Sequence, residues 1–251
     1  MEQKLNHDPI LVPYREAEKL GPEMVGAKAF SVAKMDQNGI LVPEGLVLPK
    51  SAWKNFQRPE RSRALLAGIE RRLPKERYIV RSSAIGEDSG TFSWAGCFDT
   101  IAEVDPDHMA EAILQCAASL KGKRAAAYAS LHSDLPVIRE MAILIQEYLP
   151  AQFSGVGFSV NPVTGRQEMI IEYQQGKSGS VVSGEGFSSV ALFSARDLSP
   201  QGEYPAWLTS VAHMIRRVER LFGAAVDVEW LWKHERLYIL QARPITTLQE
   251  E

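Results

Sequence analysis

Cysteine is nearly absent from the 251-residue chain, which has only Cys97 and Cys116. Two such residues make neither a disulfide framework nor a Cys-x-x-Cys metal signature, and Cys97, beside Gly96, reads as a small buried filler rather than a reactive thiol. Histidine is also sparse. His7, His108, His132, His213 and His234 show no metal-ligand spacing and no neighbouring nucleophile, so all five read as structural. No stretch approaches the roughly 18 apolar residues needed to cross a bilayer. The N-terminal MEQKLNHDPI carries charge and no apolar h-region, so it does not resemble a secretion signal, and a cytoplasmic location is expected. Charge of one sign is missing too: 28 Lys and Arg against 31 Asp and Glu give a net charge of -3. That balance gives no general attraction to nucleic acid or to an anionic membrane, so any phosphate binding must come from a few placed cations. Internal repeats and low-complexity tracts are absent. What remains, 45% hydrophobic and 24% charged, is ordinary for a folded chain long enough for one large domain or two lobes.

The pattern predicts a helix over 22–35, ended by Asn38-Gly39, and a short extended segment over 41–48 broken by Pro43-Glu44-Gly45. A helix over 64–72 and a buried strand ending at Arg81 follow. Residues 82–100 are rich in Ser, Gly and acidic side chains and read as a functional loop running into a strand over 100–104. Asp107 is placed to cap one long helix over 108–131. Strands are predicted over 141–148, 154–160 and 168–173, with Asn161-Pro162-Val163-Thr164-Gly165 as a turn. Short extended pieces at 181–184 and 190–193 precede an amphipathic helix over 207–222, stopped by Gly223, and a hairpin of 226–232 with 237–241. Helices and strands mix without βαβ alternation, so the fold class is α+β, with lobes expected at 1–140 and 141–251.

Three segments carry side chains suited to chemistry. Around Lys28, Gly21 to Ala29 resembles a Walker A loop but fails, because Ala27 separates glycine from lysine and Ala29 replaces the Ser/Thr. A helical lysine is usually a solvated surface residue, yet a glycine before it at a helix start also suits a close phosphate. Arg81-Ser82-Ser83-Ala84-Ile85-Gly86-Glu87-Asp88, continuing to Phe92-Ser93-Trp94-Ala95-Gly96, has two readings. It either cradles an anion or is a solvent loop in which Arg81 pairs with Glu87 or Asp88. The C-terminal hairpin puts Asp227 and Glu229 on one strand face and Gln241 and Arg243 on one face of the partner. Glu229 opposite Gln241 requires an odd loop or a bulge, expected near 233–236. Carboxylate and amide oxygens suit Mg²⁺ and arginine suits phosphate, whereas the plain alternative is a wet polar sheet face. Trp230 and Trp232 point the other way, to the core.

In order, these segments resemble the nucleotide domain of the pyruvate phosphate dikinase and phosphoenolpyruvate synthase family, which rifampin phosphotransferase shares. Gly26-Ala27-Lys28 and Val42-Pro43-Glu44-Gly45 are similar to its opening. Val80-Arg81-Ser82-Ser83-Ala84 with Glu87-Asp88, and Ser93-Trp94-Ala95-Gly96 with Thr100, are similar to its arginine and glycine loops. Gln146 to Pro150, Ser154-Gly155-Val156, Asn161 to Gly165 and Val181 to Glu185 resemble its second half. Asp227-Val228-Glu229-Trp230 and Leu240-Gln241-Ala242-Arg243-Pro244 resemble its ending. The match runs collinearly from about Leu20 to Thr246.

The resemblance implies an ATP-grasp fold of two α+β lobes clasping the nucleotide, with ATP and Mg²⁺ as ligands. Lys28, Arg81, Gly96 and Thr100 would hold phosphates, and Gln146 would lie near the nucleoside. Glu229 and Gln241 would bind Mg²⁺, and Arg243 would stabilise the transferring phosphoryl, with Lys28 and Arg81 also counted as catalytic. The segments 53–78 and 193–207 are shorter than in the family, and Cys97 and Phe98 stand where it often has polar residues. No histidine has the Thr-Ser-His-type context of the family's phosphate carrier. The expectation is therefore a dikinase-type phosphotransferase component that passes phosphate to a histidine on a separate protein and releases AMP. The alternatives are a non-catalytic ATP-binding regulatory subunit, or a standalone ATP-grasp kinase or ligase acting on a small molecule.

Overall fold

The runs YIVRSSA and MAILIQE are buried along almost their whole length, on both faces, as strands in the middle of a sheet are. The computed structural model describes residues 11–56, 59–89, 92–94, 96–131, 138–176 and 189–245, and in it these runs pair antiparallel at the centre of a sheet. The strands of this sheet are β1 (Val12–Pro13), β2 (Gly45–Leu48), β3 (Tyr78–Ala84), β6 (Thr100–Val104) and β7 (Met141–Glu147). Their order is β1-β2-β7-β3-β6, with every neighbouring pair antiparallel. A two-stranded ribbon, β4 (Asp88–Ser89) with β5 (Phe92–Ser93), lies between β3 and β6 in the chain.

One face of this sheet packs on α3 (Lys50–Phe56), α4 (Pro59–Arg72) and α5 (Met109–Ala118). Leu46, Leu48, Val80, Ile143 and Ile145 meet Ala52, Phe56, Leu65, Ile69, Met109 and Ile113 there in one buried cluster. Strand alternation sends Arg81 and Ser83 to the opposite face, where α2 (Pro22–Gln37) lies. The helix α1 (Tyr14–Leu20) precedes it.

The expected long helix over 108–131 is broken. A 3₁₀ turn at Pro106–His108 leads into α5, a second at Ser119–Lys121 follows, and α6 (Lys123–Leu131) begins after Gly122 in an extended conformation. Ser119 Oγ turns back to donate to Cys116 O at 2.6 Å, the local competition by which serine disfavours helix interiors. Nor does Asp107 cap: the residue before the first turn is Asp105, which makes no side-chain capping bond.

The second unit is another five-stranded antiparallel sheet, in the order β10-β9-β8-β11-β12. Its strands are β8 (Phe153–Phe158), β9 (Glu168–Gln175), β10 (Ser189–Ser194), β11 (Val226–Lys233) and β12 (Arg236–Pro244). The amphipathic α7 (Ala206–Phe222) packs Leu208, Val211, Ile215 and Val218 against one sheet face. A Cβ added at Gly157 would sit 2.2 Å from Ile215 Cδ1, so the end of the Ile215 side chain fills the space beside that strand position.

Chain contacts divide the protein differently from the expected boundary at 140/141. Residues up to Lys34 and Glu44–Tyr148 form one unit; Met35–Pro43 and Leu149 onward form the other. The reason is β7. It is a middle strand of the first sheet, hydrogen-bonded on both sides, so it cannot belong to the second unit. The expected strand at 181–184, with Glu185, lies outside the described residues, as do His7, His132, Ala95 and Thr246.

Candidate active site

In the first unit the site is built around a defect in α2. Gly26 has φ 75° and ψ 159°, so the helix stops there and restarts. The restart exposes new backbone donors. Ser83 on β3 meets one of them: its Oγ accepts from Ala29 N–H at 3.0 Å and donates to Val25 O at 2.7 Å. The glycine is required by crowding as well as by its angles. A Cβ at position 26 would lie 2.3 Å from Ser83 O and 2.6 Å from Ser83 C.

Lys28 follows in the first turn of the restarted helix and points at the sheet. Its ammonium donates to Ser82 O at 3.0 Å and lies 3.5 Å from Glu87 Oε1, both side chains being largely buried. Glu87 Oε2 also accepts from Ala84 N–H at 3.2 Å. Glu87 thus holds Lys28, a partner that the sequence reading of the 81–88 loop did not name. Arg81 is itself only 4% exposed, and Thr100 is its partner across the β3–β6 pair, so the two share a sheet face. Glu87 is the counter-ion of the largely buried Lys28, and Ser82 Oγ is fully buried without a hydrogen-bond partner.

Gly96 is exposed, with φ 73°, and nothing would lie within 4 Å of a Cβ there, so the space beside its backbone is open. Gln146 is the exception among the expected residues. It is 1% exposed and its amide donates to Tyr14 Oη at 3.0 Å, which uses it inside the first unit. Cys97 and Cys116 are both buried, as fillers should be. Burial pushes the Cys116 thiol up to about 12, against the opposing effect of Lys28.

In the second unit the hairpin brings the expected residues together. Asp227 faces Arg243 and Glu229 faces Gln241 as direct cross-strand partners. The irregularity that makes this possible is not at the turn. Lys233 pairs with Arg236, leaving a two-residue turn in which His234 and Glu235 both take positive φ, and the register shifts between Glu229 and Trp230, opposite Leu240. Asp227 Oδ2 accepts from Arg243 Nε and from Arg243 Nη2, each at 2.6 Å, a fork that fixes the guanidinium plane. Val156 on β8 and Glu172 on β9 continue the row through Glu229, on the face that α7 does not cover. Trp230 is fully buried on the α7 side, whereas Trp232 is half-buried against Trp207.

Glu87 and Asp227 were legible only as members of motifs; their tasks, holding Lys28 and holding Arg243, appear in the contacts. Among the described residues no group of three or more His, Cys, Asp or Glu side chains forms a ready metal centre. The donor set Glu229 with Gln241 fits a hard cation that takes the rest of its oxygens from a bound phosphate ligand and water. His108 lies 4.0 Å from Asp105, His213 Nδ1 lies 2.8 Å from Thr209 O in its own helix, and His234 sits in the turn. No helix among the described residues is long and apolar enough to cross a membrane.

The α+β fold on two antiparallel sheets is the kind that the ATP-grasp resemblance implies. The prodigiosin synthesizing transferase PigC of Serratia marcescens is 27% identical over 303 residues, covering 96% of this chain and 34% of that protein. The phosphoenolpyruvate synthase of Pyrococcus furiosus is 30% identical over 220 residues, covering 70% of this chain and 27% of that protein. The rifampicin phosphotransferase of Streptomyces sviceus is 28% identical over 217 residues, covering 74% of this chain and 25% of that protein. The chain thus spans a quarter to a third of the length of these relatives. Residues 59–199 and 196–251 match the pyruvate phosphate dikinase, AMP/ATP-binding domain, and it is to that family that the chain belongs.

Proposed function

We propose that this chain binds MgATP and transfers its β- and γ-phosphates together to a histidine on a separate carrier protein, releasing AMP. The observation that carries the reading is the largely buried Lys28–Glu87 pair at a glycine-shaped helix restart, packed on the strand that also buries Arg81. Such an arrangement suits phosphate oxygens, because the charges are already desolvated and fixed before the ligand arrives. Lys28, Arg81, Thr100 and the Gly96 backbone would receive phosphates. Glu229 and Gln241 would hold Mg²⁺, which supplies charge neutralisation of the polyphosphate. Gln146 is better suited to fixing Tyr14 than to meeting a nucleoside, so it is left out of the ligand set.

In the proposed transfer a carrier imidazole nitrogen attacks the β-phosphorus. The bond from that phosphorus to the oxygen bridging the α and β positions breaks, AMP leaves with the electron pair, and the β- and γ-phosphates remain on the imidazole nitrogen as a pyrophosphoryl group. Arg243, held flat by Asp227, would stabilise charge as it shifts among the phosphoryl oxygens.

Phosphorus NMR of MgATP with the full chain, alone and with histidine-carrier proteins of the dikinase type, tests this. AMP formed only with a carrier, together with an acid-labile phosphoprotein, is the expected result. Tight ATP binding with neither AMP nor ADP would instead indicate a regulatory subunit, and ADP formed by the chain alone would indicate direct kinase or ligase chemistry.

A further inference from the structure

Arg124 and Tyr128 stand one helical turn apart on α6, so they share a face. Both reach the glycine-bearing segment before β6. Arg124 Nη1 donates to Gly96 O at 3.2 Å, and the other arm of the guanidinium pairs with the Asp99 carboxylate. The Tyr128 ring lies 5.0 Å from Trp94, which in turn stacks on Phe98 at 5.9 Å. Asp99 is held again from the α5 side. Its N–H donates to Ser119 Oγ at 3.1 Å, and its carbonyl accepts from Ser82 N–H at 3.2 Å and from Cys116 Sγ at 3.4 Å. The segment is thus gripped by aromatic packing at Trp94 and by a cation at both Gly96 and Asp99, while the space beside Gly96 stays open.

We infer that Arg124 is a positioning residue that sets the Gly96–Thr100 backbone in its phosphate-receiving shape before ligand arrives. This rests on the reading of that loop given above. A loop ordered on folding does not lose that freedom again on binding, so its fixation appears as affinity for the ligand it faces. Arginine suits the task because its planar fork donates in two directions at once, to a carbonyl and to a carboxylate. A lysine keeps the charge but not the fork. The Arg124 side chain is 64% exposed, so replacing it opens no cavity.

The test uses the full chain with Arg124→Ala and Arg124→Lys, and reads two quantities. Amide hydrogen exchange at 96–100 is measured without nucleotide, and dissociation constants are measured for MgATP and for adenosine, which has no phosphates. In Arg124→Ala, exchange at 96–100 should rise about tenfold with β3 and β7 unchanged, and MgATP should bind about tenfold more weakly. Adenosine affinity should hold, and Arg124→Lys should fall between. Wild-type exchange at 96–100 in Arg124→Ala would overturn the positioning role. Faster exchange with unchanged MgATP affinity would overturn its link to phosphate. A wild-type chain that binds no MgATP would instead refute the proposed function, leaving the exchange result to decide alone whether Arg124 fixes the loop.

Discussion

Gly26→Ala should be among the most damaging single-methyl changes in the first unit. Two costs add. The backbone at φ 75°, ψ 159° is a region that L-residues avoid, worth about 1–3 kcal/mol. The new Cβ would also lie 2.3 Å from Ser83 O and 2.6 Å from Ser83 C. Those are backbone atoms, and Ser83 is paired with Ala142 on β7, so neither can rotate away. Overpacking of that kind costs about 1–3 kcal/mol more. Gly86→Ala separates the terms, because Gly86 has φ 86° yet a Cβ there would meet nothing within 4 Å. Native-state amide exchange of β3 in both variants is the assay. Gly26→Ala should exceed Gly86→Ala by about 1–3 kcal/mol, a factor of roughly 5 to 150 in local opening. It should also weaken MgATP binding, because Lys28 is two residues away in the restarted helix. Equal losses in the two variants would refute the crowding argument, and a Gly26→Ala chain within about 0.5 kcal/mol of wild type would refute both terms.

Arg243→Ala should lower carrier-dependent turnover by about 10² to 10³ while MgATP affinity changes far less, since its charge matters most as phosphoryl charge redistributes. Asp227→Asn should lower turnover in the same sense and by less, because the guanidinium stays but loses its ionic fork; equal losses of binding and turnover in either variant would count against these roles. Cys116 keeps its proton to about 12 when folded, against 9.0 as the ordinary value, so between those limits the folded chain binds more protons than the unfolded one and stability falls as pH rises. Urea midpoints at pH 8 and 10.5 should therefore separate more in wild type than in Cys116→Ala, and equal separation would refute the assignment.

The strands and the helix α7 were legible because alternation and a 3.6-residue stripe are strong local signals; the pairing of Glu229 with Gln241 was conditional on an odd loop or a bulge, and the hairpin has that pairing. What escaped the sequence depends on partners far along the chain. The alanine-rich run 109–131 has helical composition throughout, and its interruption turns on Ser119 bonding back to Cys116 and on Asp99 bonding to Ser119. The bulge was expected at the turn, where His234 and Glu235 lack the glycine that usually marks two residues at positive φ; the hairpin instead keeps a tight turn and places its extra residue at Leu240. The unit boundary failed for a similar reason. Whether β7 belongs to the first or second sheet is settled by β2 and β3, not by anything within residues 141–147.

The two units solve the packing of helix on sheet alike and the placing of charge in opposite ways. Each packs helix and sheet together at a position without a side chain, at Gly26 against Ser83 in one and at Gly157 against Ile215 in the other. In the first unit Lys28, Arg81 and Ser83 lie on the face that the helix covers, so the cations are desolvated and Lys28 is already held by Glu87. In the second, Asp227, Glu229 and Arg243 lie on the face α7 leaves uncovered and are half-buried. A buried, partnered cation resists rearrangement, since losing its counter-ion leaves a charge in low dielectric. A half-buried guanidinium costs less to desolvate further, and Asp227 fixes its plane. Under the proposed function, Lys28 and Arg81 would then serve phosphate binding and Arg243 the shift of charge during transfer. Substitutions should divide the same way, with Lys28→Met acting mainly on MgATP affinity and Arg243→Ala mainly on turnover.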